Sequence, residues 1–401
     1  MLSFARVSSI LVATLGLFLL GGCNKTDEPS LYNPNVAYAP QPTISGISPS
    51  GSAFAAMDTV IVQGTNFSAN VAENTVYFNA SAATLLNSTA TQILVAAPLV
   101  PNDSVAVRVA VQGSLQFSNT FLYKLKAGVL SWGSLQSTET SASITTDASG
   151  NLLAATALSS IENGIIKVTP AGVRSTYAPA TAGVASWTGL KMGPGGYLYS
   201  ARNFRALYRF SPGGGSAGAV WTAFPVGTLI ADIDFDQAGN VWGGGNNTNL
   251  FCITQAKVIS TVPFTGNVHS VRVFNGYLYF SAKTGSGEQI WRAQISGTSL
   301  GTPEVYYDFA SVYPSNVPLS ITFSSDGILY IGTDAASGLV IVSPSKTASA
   351  PYAPYKALFG TGLGYLAWGS ADDLYAGTSN GTILKFTVRG KKSATYYGAT
   401  M

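Results

Sequence analysis

The chain carries one histidine, His269, and two cysteines, Cys23 and Cys252, so its stock of conventional bases and nucleophiles is short. A single imidazole excludes a His-rich metal site and leaves at most one histidine base. The default role of His269 is that of a hydrogen-bonded structural group. Gly-x-Ser-x-Gly occurs around Ser216, Ser299 and Ser379. A nucleophile elbow needs a strand before the serine and a helix after it, and all three copies lie in turns between strand-like segments. Among 43 glycines, three such copies express composition rather than catalysis. Asp234-Phe235-Asp236 opens like a calcium loop, but Ala238 and Gly245 stand where oxygen ligands are required, so a turn is expected. The glycine runs 213–215 and 243–245 precede no helix and lack a Gly-Lys-Ser/Thr ending, which makes them hairpin turns rather than phosphate cradles. Cys252 sits in a strand pattern and is expected to be a packed, inert thiol. Neither a cofactor nor a metal is expected.

The elements that must position these residues are strands. Hydrophobic residues make up 46% of the 401 positions and charged residues only 10%, with 43 Gly and 19 Pro, a profile of many short strands joined by tight turns. The net charge of +3 comes from 21 basic and 18 acidic residues without a Lys/Arg block, so no nucleic-acid footprint is present. The Tyr-rich, weakly charged balance leans towards neutral ligands or protein surfaces.

Residues 1–23 contain Arg6, an apolar run over 10–20, and then Leu20-Gly21-Gly22-Cys23. Eleven apolar residues are too few to cross a bilayer as a permanent helix. The Leu-Gly-Gly-Cys stretch resembles the lipobox of bacterial lipoproteins, which implies a signal peptide over 1–22 and lipidation at Cys23. Lys25, Asp27 and Glu28 resemble the signal that sends some lipoproteins of Bacteroidetes-like bacteria to the outer surface. That resemblance implies an envelope protein held to the outer membrane by lipid and exposed at the cell surface. Residues 23–41, rich in Pro, Asn and Tyr, read as an acylated tether. With Cys23 acylated, Cys252 has no partner for an intramolecular disulfide.

From residue 42 to 125 strand-like alternation recurs: Ile44 and Ile47, Val60 and Val62, Val76 and Phe78, Ile93 and Val95, then Val105, Val107 and Val109. Pro42, Ile44, Ile47, Pro49 and Gly51, followed by Gly64-Thr65-Asn66-Phe67 and by Gln92, Ile93, Val95, Ala97 and Pro98, resemble an IPT/TIG domain. Such immunoglobulin-like domains act as spacers, adhesive modules or dimerisation units without a catalytic set. Gly64 is expected to supply the turn and Phe67 to plug the sandwich core.

Beyond residue 128 the chain repeats itself. Gly150-Asn151-Leu152-Leu153, Gly196-Tyr197-Leu198-Tyr199, Gly239-Asn240-Val241-Trp242, Gly276-Tyr277-Leu278-Tyr279, Gly327-Ile328-Leu329-Tyr330 and Asp372-Asp373-Leu374-Tyr375 are spaced by 46, 43, 37, 51 and 45 residues, the range of propeller blades. Each has an alternating stretch before it and a further strand after it. The unit resembles the NHL repeat and related six-bladed propellers. The predicted fold is all-β, an N-terminal immunoglobulin-like β-sandwich and a C-terminal six-bladed β-propeller over 128–401. The ring closes either on the last blade's own strands or on a strand near residues 128–133.

In each blade, the loops joining the second and third strands and those crossing to the next blade open on one face. That face is expected to collect Trp187, Arg202, Asn203, Phe204, Arg205, Asn246, Asn247, His269, Tyr313 and Asp334 as ligand-binding candidates, suited to sugar stacking or a protein hot spot. Six-bladed lactonases and lyases place ligands at the channel mouth, where this chain has Ser143, Gly189, Asp232, Ser270, Ser320 and Tyr365. One carboxylate is too few for a calcium-dependent lactonase. Lower in the channel, Lys191, Asp234 and Arg272 are expected to form a charge cluster with the carboxylate between two cations. The reading that follows is a binding or adhesion protein whose propeller face engages a glycan or an envelope protein without catalysis and without nucleic acid. A scaffold of an envelope complex and a propeller enzyme of the lactonase or lyase kind are the alternatives.

Overall fold

The computed structural model describes residues 37–394, apart from 185, 203, 370 and 371. The expected signal peptide, the expected lipidation residue Cys23, the first part of the expected tether and the candidate Asn203 therefore lie outside the described residues. The described chain is all-β, with three short 3₁₀ turns.

The sandwich packs a four-stranded sheet (Thr43–Ser48, Thr59–Thr65, Gln92–Ala96, Thr84–Ser88) on a five-stranded one (Ser52–Phe54, Phe121–Lys126, Asn102–Val111, Asn74–Phe78, Ser81–Ala82). Val60, Val62, Val76, Ile93, Val95, Val105, Val107 and Val109 are all fully buried, because period-2 alternation sends one face of each strand inward. Phe67 is buried with them as expected. Gly64 has a different role from the one its position suggested. It lies within the strand Thr59–Thr65, and a Cβ there would meet the Thr43 carbonyl oxygen at 1.8 Å, so it permits close strand approach. Asn66 makes the turn, at φ 61°, with its side-chain amide donating to the Gln41 carbonyl at 2.8 Å.

Six four-stranded units follow. Their inner strands are Glu139–Thr146, Gly189–Met192, Asp232–Phe235, the second half of Ile259–Phe274, Pro318–Phe323 and Leu363–Trp368. The strand Ile259–Phe274 serves two blades: its first half pairs with Asn246–Ile253 and its second half with Tyr277–Thr284. Blades three and four thus share one sheet without a crossing loop, which accounts for the shortest repeat spacing.

Ring closure is settled by Val129–Trp132, which pairs antiparallel with Ile383–Thr387 and supplies the outer strand of the last blade. One sheet therefore joins the first and last parts of the propeller. Large side chains such as Trp242, Trp368, Tyr199, Tyr330 and Tyr375 are buried in six apolar clusters, each drawing on neighbouring blades around the ring.

Candidate functional site

The inner strands line a central channel, and four of them carry a β-bulge near the mouth: at Ser141/Ser143, Val268/Ser270, Pro318/Ser320 and Leu363/Tyr365. A bulge re-aims the side chains around it. The mouth residues use this freedom to stitch neighbouring blades together. Ser143 Oγ accepts the Leu190 N–H at 3.1 Å and Ser270 Oγ accepts that of Ile321 at 3.3 Å. Ser320 Oγ donates to the Leu363 carbonyl at 3.1 Å. The serines of the mouth ring are structural ties.

Asp232, the one carboxylate of that ring, is buried and fully engaged. Its Oδ2 accepts from Ser270 Oγ at 2.8 Å, Val271 N at 3.1 Å and Arg272 Nη1 at 2.7 Å, while Oδ1 accepts from Ile233 N at 2.9 Å. Lys191, Asp234 and Arg272 do meet in the channel. The direct ion pair of Arg272, however, is with Asp232 rather than Asp234. Asp234 instead accepts the Val273 N–H at 2.8 Å. The physical reason is register: Asp232 stands one inward position above Asp234 on the same strand and meets the guanidinium as it crosses from blade four.

Burial, with Arg272 adding to it, lowers the pKa of Lys191 to about 8, and burial raises that of Asp234. Lys191, Arg272 and Leu366 line both a small cavity of about 20 Å³ at the mouth and a second of about 20 Å³ below, so they form the floor between them. The upper cavity also takes in His269 and Tyr365. Burial foremost, with the Asp232 charge, pushes the Tyr365 phenol up to about 12.

The face around the mouth is less uniform than its candidate residues suggested. Trp187 is a correction: it is fully buried, its Nε1 donates to Glu162 Oε1 at 3.1 Å, and its ring packs edge-on against Tyr208 and Phe210. An indole of that size gains more from the core between blades than from solvent. Asn247 caps the loop before blade three, accepting from Leu229 N at 2.9 Å and donating to Leu229 O at 2.6 Å. Asp334 accepts the Val317 N–H at 2.8 Å, and Tyr313 stacks on Phe309 at 5.0 Å. His269 Nε2 lies 3.0 Å from Glu288 Oε2.

Phe204 is 49% exposed, and the Arg202 guanidinium stands 5.1 Å over its ring while donating to Gly183 O at 2.9 Å. Asn246 is exposed and Arg205 half-buried. Three apolar residues that the sequence reading passed over join this face: Ile161 (71% exposed), which opens the strand Ile161–Val168, and Val226 (86%) and Val312 (51%) in connections between blades. Their signal in the sequence was an apolar residue in or next to a turn.

The remaining motifs fall into structural roles. Asp236 closes a hairpin by accepting Asn240 N at 2.9 Å and Trp242 Nε1 at 2.9 Å. Ser379 Oγ donates to Gly362 O at 3.2 Å. Cys252 is fully buried, and that burial raises its thiol pKa to about 12.

No curated protein matches the chain. Among solved structures, a putative phosphatase from Bacteroides thetaiotaomicron superposes with a TM-score of 0.55 at 12% identity, over 87% of this chain and 97% of its own. An auxiliary nutrient binding protein from the same organism gives 0.51 at 11% identity, over 90% and 99%. A gluconolactonase from Xanthomonas campestris gives 0.52 at 11% identity, over 65% and 89%. At such identities the likeness is one of fold, and it supports a propeller. Residues 42–124 match the IPT/TIG domain model, which makes the N-terminal sandwich an IPT/TIG domain.

Proposed function

We propose that this protein is an envelope-anchored binding protein whose propeller face holds a glycan or a protein partner without chemical turnover. The observation that carries this reading is the contrast between the face and the channel beneath it. The face presents Ile161, Phe204, Val226 and Val312 to solvent beside Arg202 and Asn246, a mixture of apolar anchors and polar donors that suits recognition. The channel's one mouth carboxylate is spent on Arg272, Ser270 and backbone donors, and the upper cavity admits little beyond water. The lactonase alternative would need free oxygen ligands there. Placement at the outer membrane rests on the lipobox-like Leu20-Gly21-Gly22-Cys23.

The test is a glycan array and an envelope pull-down with the wild-type protein and with the Arg202→Ala/Phe204→Ala double variant. The variant is expected to lose at least about tenfold in affinity for the captured partner with an unchanged thermal transition, the loss typical of a truncated hot spot. Full retention of affinity would place the site elsewhere. In the same preparation, Cys23→Ser is expected to move the protein out of the detergent phase, and unchanged partitioning would remove the lipid anchor.

A further inference from the structure

A second concave surface lies where the sandwich meets the last blade. It is a groove of about 760 Å³ with walls from both domains. Lys124 and Lys126 are alternate residues of Phe121–Lys126, so both side chains leave the same face of that sheet, and both are exposed. Lys385, on Ile383–Thr387, and Arg389 just after it line the other wall. Four of the 21 basic residues thus meet in one groove of a chain whose net charge is only +3.

Their local counter-charges are partial. Lys124 reaches Asp103 at 2.6 Å, but the two side chains are 45% and 86% exposed, so water screens the pair. Lys385 lies 3.4 Å from Asp373, and Arg389 lies 2.7 Å from Asp58. Lys126 has no ion-pair partner among the described residues. Its ammonium stands 4.3 Å from the centre of the Phe54 ring, which the Arg389 guanidinium approaches to 4.9 Å. Among the described residues Lys126 is thus the cation of the groove without a carboxylate of its own, and an anion seated beside it would gain a direct charge partner.

The walls also hold Asp103 and Asp372 beside Asn102 and Thr387. Those carboxylates accept hydrogen bonds and repel a phosphodiester backbone, which offers acceptors alone. A sugar acid offers both complements, a carboxylate for the cations and hydroxyl donors for the carboxylates. We propose that the interdomain groove binds an acidic oligosaccharide of the hexuronate type, with its carboxylates between the lysine pair of the sandwich and the Lys385/Arg389 wall. This site is separate from the propeller face and does not depend on the reading given above for that face.

Calorimetric titration of the full protein with tetragalacturonate tests it. Saturable binding is expected, at least about tenfold weaker in Lys124→Gln/Lys126→Gln and in Lys385→Gln, since hydrogen bonds to charged groups carry roughly that much. Lys126→Arg should retain affinity, and the methyl-esterified tetrasaccharide should bind at least about tenfold more weakly than the free acid. Phe204→Ala should leave this affinity unchanged, which separates the groove from the propeller face. Absence of binding, equal binding in the lysine variants with an unchanged melting curve, or equal binding of inorganic tripolyphosphate would each overturn the proposal.

Discussion

A lysine held in a channel at 6% exposure sets the residue-scale behaviour of this protein. Lys191 has its pKa lowered to about 8, with burial as the first cause. In the unfolded chain an ordinary lysine titrates near 10.4. Between those values the unfolded state binds more protons than the native state, so stability rises with pH through this window. Below about pH 8 the full cost of the buried charge is present in the native state. Cys252, its thiol raised to about 12, acts in the opposite sense over the same window, so urea unfolding between pH 8 and 9 should show the wild type gaining stability relative to Lys191→Met. An equal slope in the variant would mean that another group carries it. The same burial that lowers Lys191 raises Cys252, where it keeps the thiol protonated and inert. Neither effect is visible in residue type, because desolvation belongs to the position and not to the side chain.

At the scale of elements, the strand Val129–Trp132 has the largest topological effect for its length. Four residues pair with Ile383–Thr387 in the register Val129↔Phe386 to Trp132↔Ile383 and close the ring. Val129 is 2% exposed and packs with Leu366, Trp368, Leu384 and Phe386, while Trp132 stacks with Tyr375 under the Lys385 ammonium. Val129→Asp would place a charge in that apolar contact. It should cost about 3 kcal/mol or more and expose residues 127–138 to limited proteolysis. An unchanged denaturation midpoint with unchanged protease resistance would show that the latch contributes little to closure. The bulges act at this same scale: each disturbs the register of an inner strand, and three of the four are followed by a serine, Ser143, Ser270 or Ser320, that bonds to the next blade.

Across the whole molecule, one phenol ties the two domains. Tyr355 Oη donates to Ala55 O at 2.8 Å in the sandwich and accepts the N–H of Gly128 at 2.8 Å, where the chain enters the propeller. Tyr355 itself sits in the 3₁₀ turn Ala353–Leu358 between the last two blades. Tyr355→Phe keeps the ring's packing but leaves a buried donor and an acceptor unpaired, at a cost of about 2 kcal/mol. Calorimetry should then resolve separate sandwich and propeller transitions where the wild type unfolds as a coupled unit, and a single unshifted transition would argue against the tie. The sandwich is thereby held against the last blade, where Tyr352 Oη donates to Thr387 O at 2.7 Å. The segments that bear Ile161, Phe204, Val226 and Val312 belong to other blades.

The sequence by itself determined the fold class, because alternation and turn chemistry are local: period-2 apolar runs and the recurring Gly-x-Leu-Tyr copies name strands and blades without any long-range information. It also exposed the Gly64–Phe67 turn region and the meeting of Lys191, Asp234 and Arg272 in one channel, since equivalent repeat positions must converge on the axis. The tertiary structure alone decided which groups pair. Arg272 chose Asp232, which is 40 positions away, because strand register and the neighbouring blade set the distance. Trp187 went into the core and not to the surface because Glu162 offered its N–H a buried acceptor. The basic groove likewise has no sequence signature, for Lys126 and Lys385 become neighbours only through the packing of a sandwich on the last blade. Local pattern encodes elements, whereas pairing, burial and charge concentration are set by distances that only the folded chain defines.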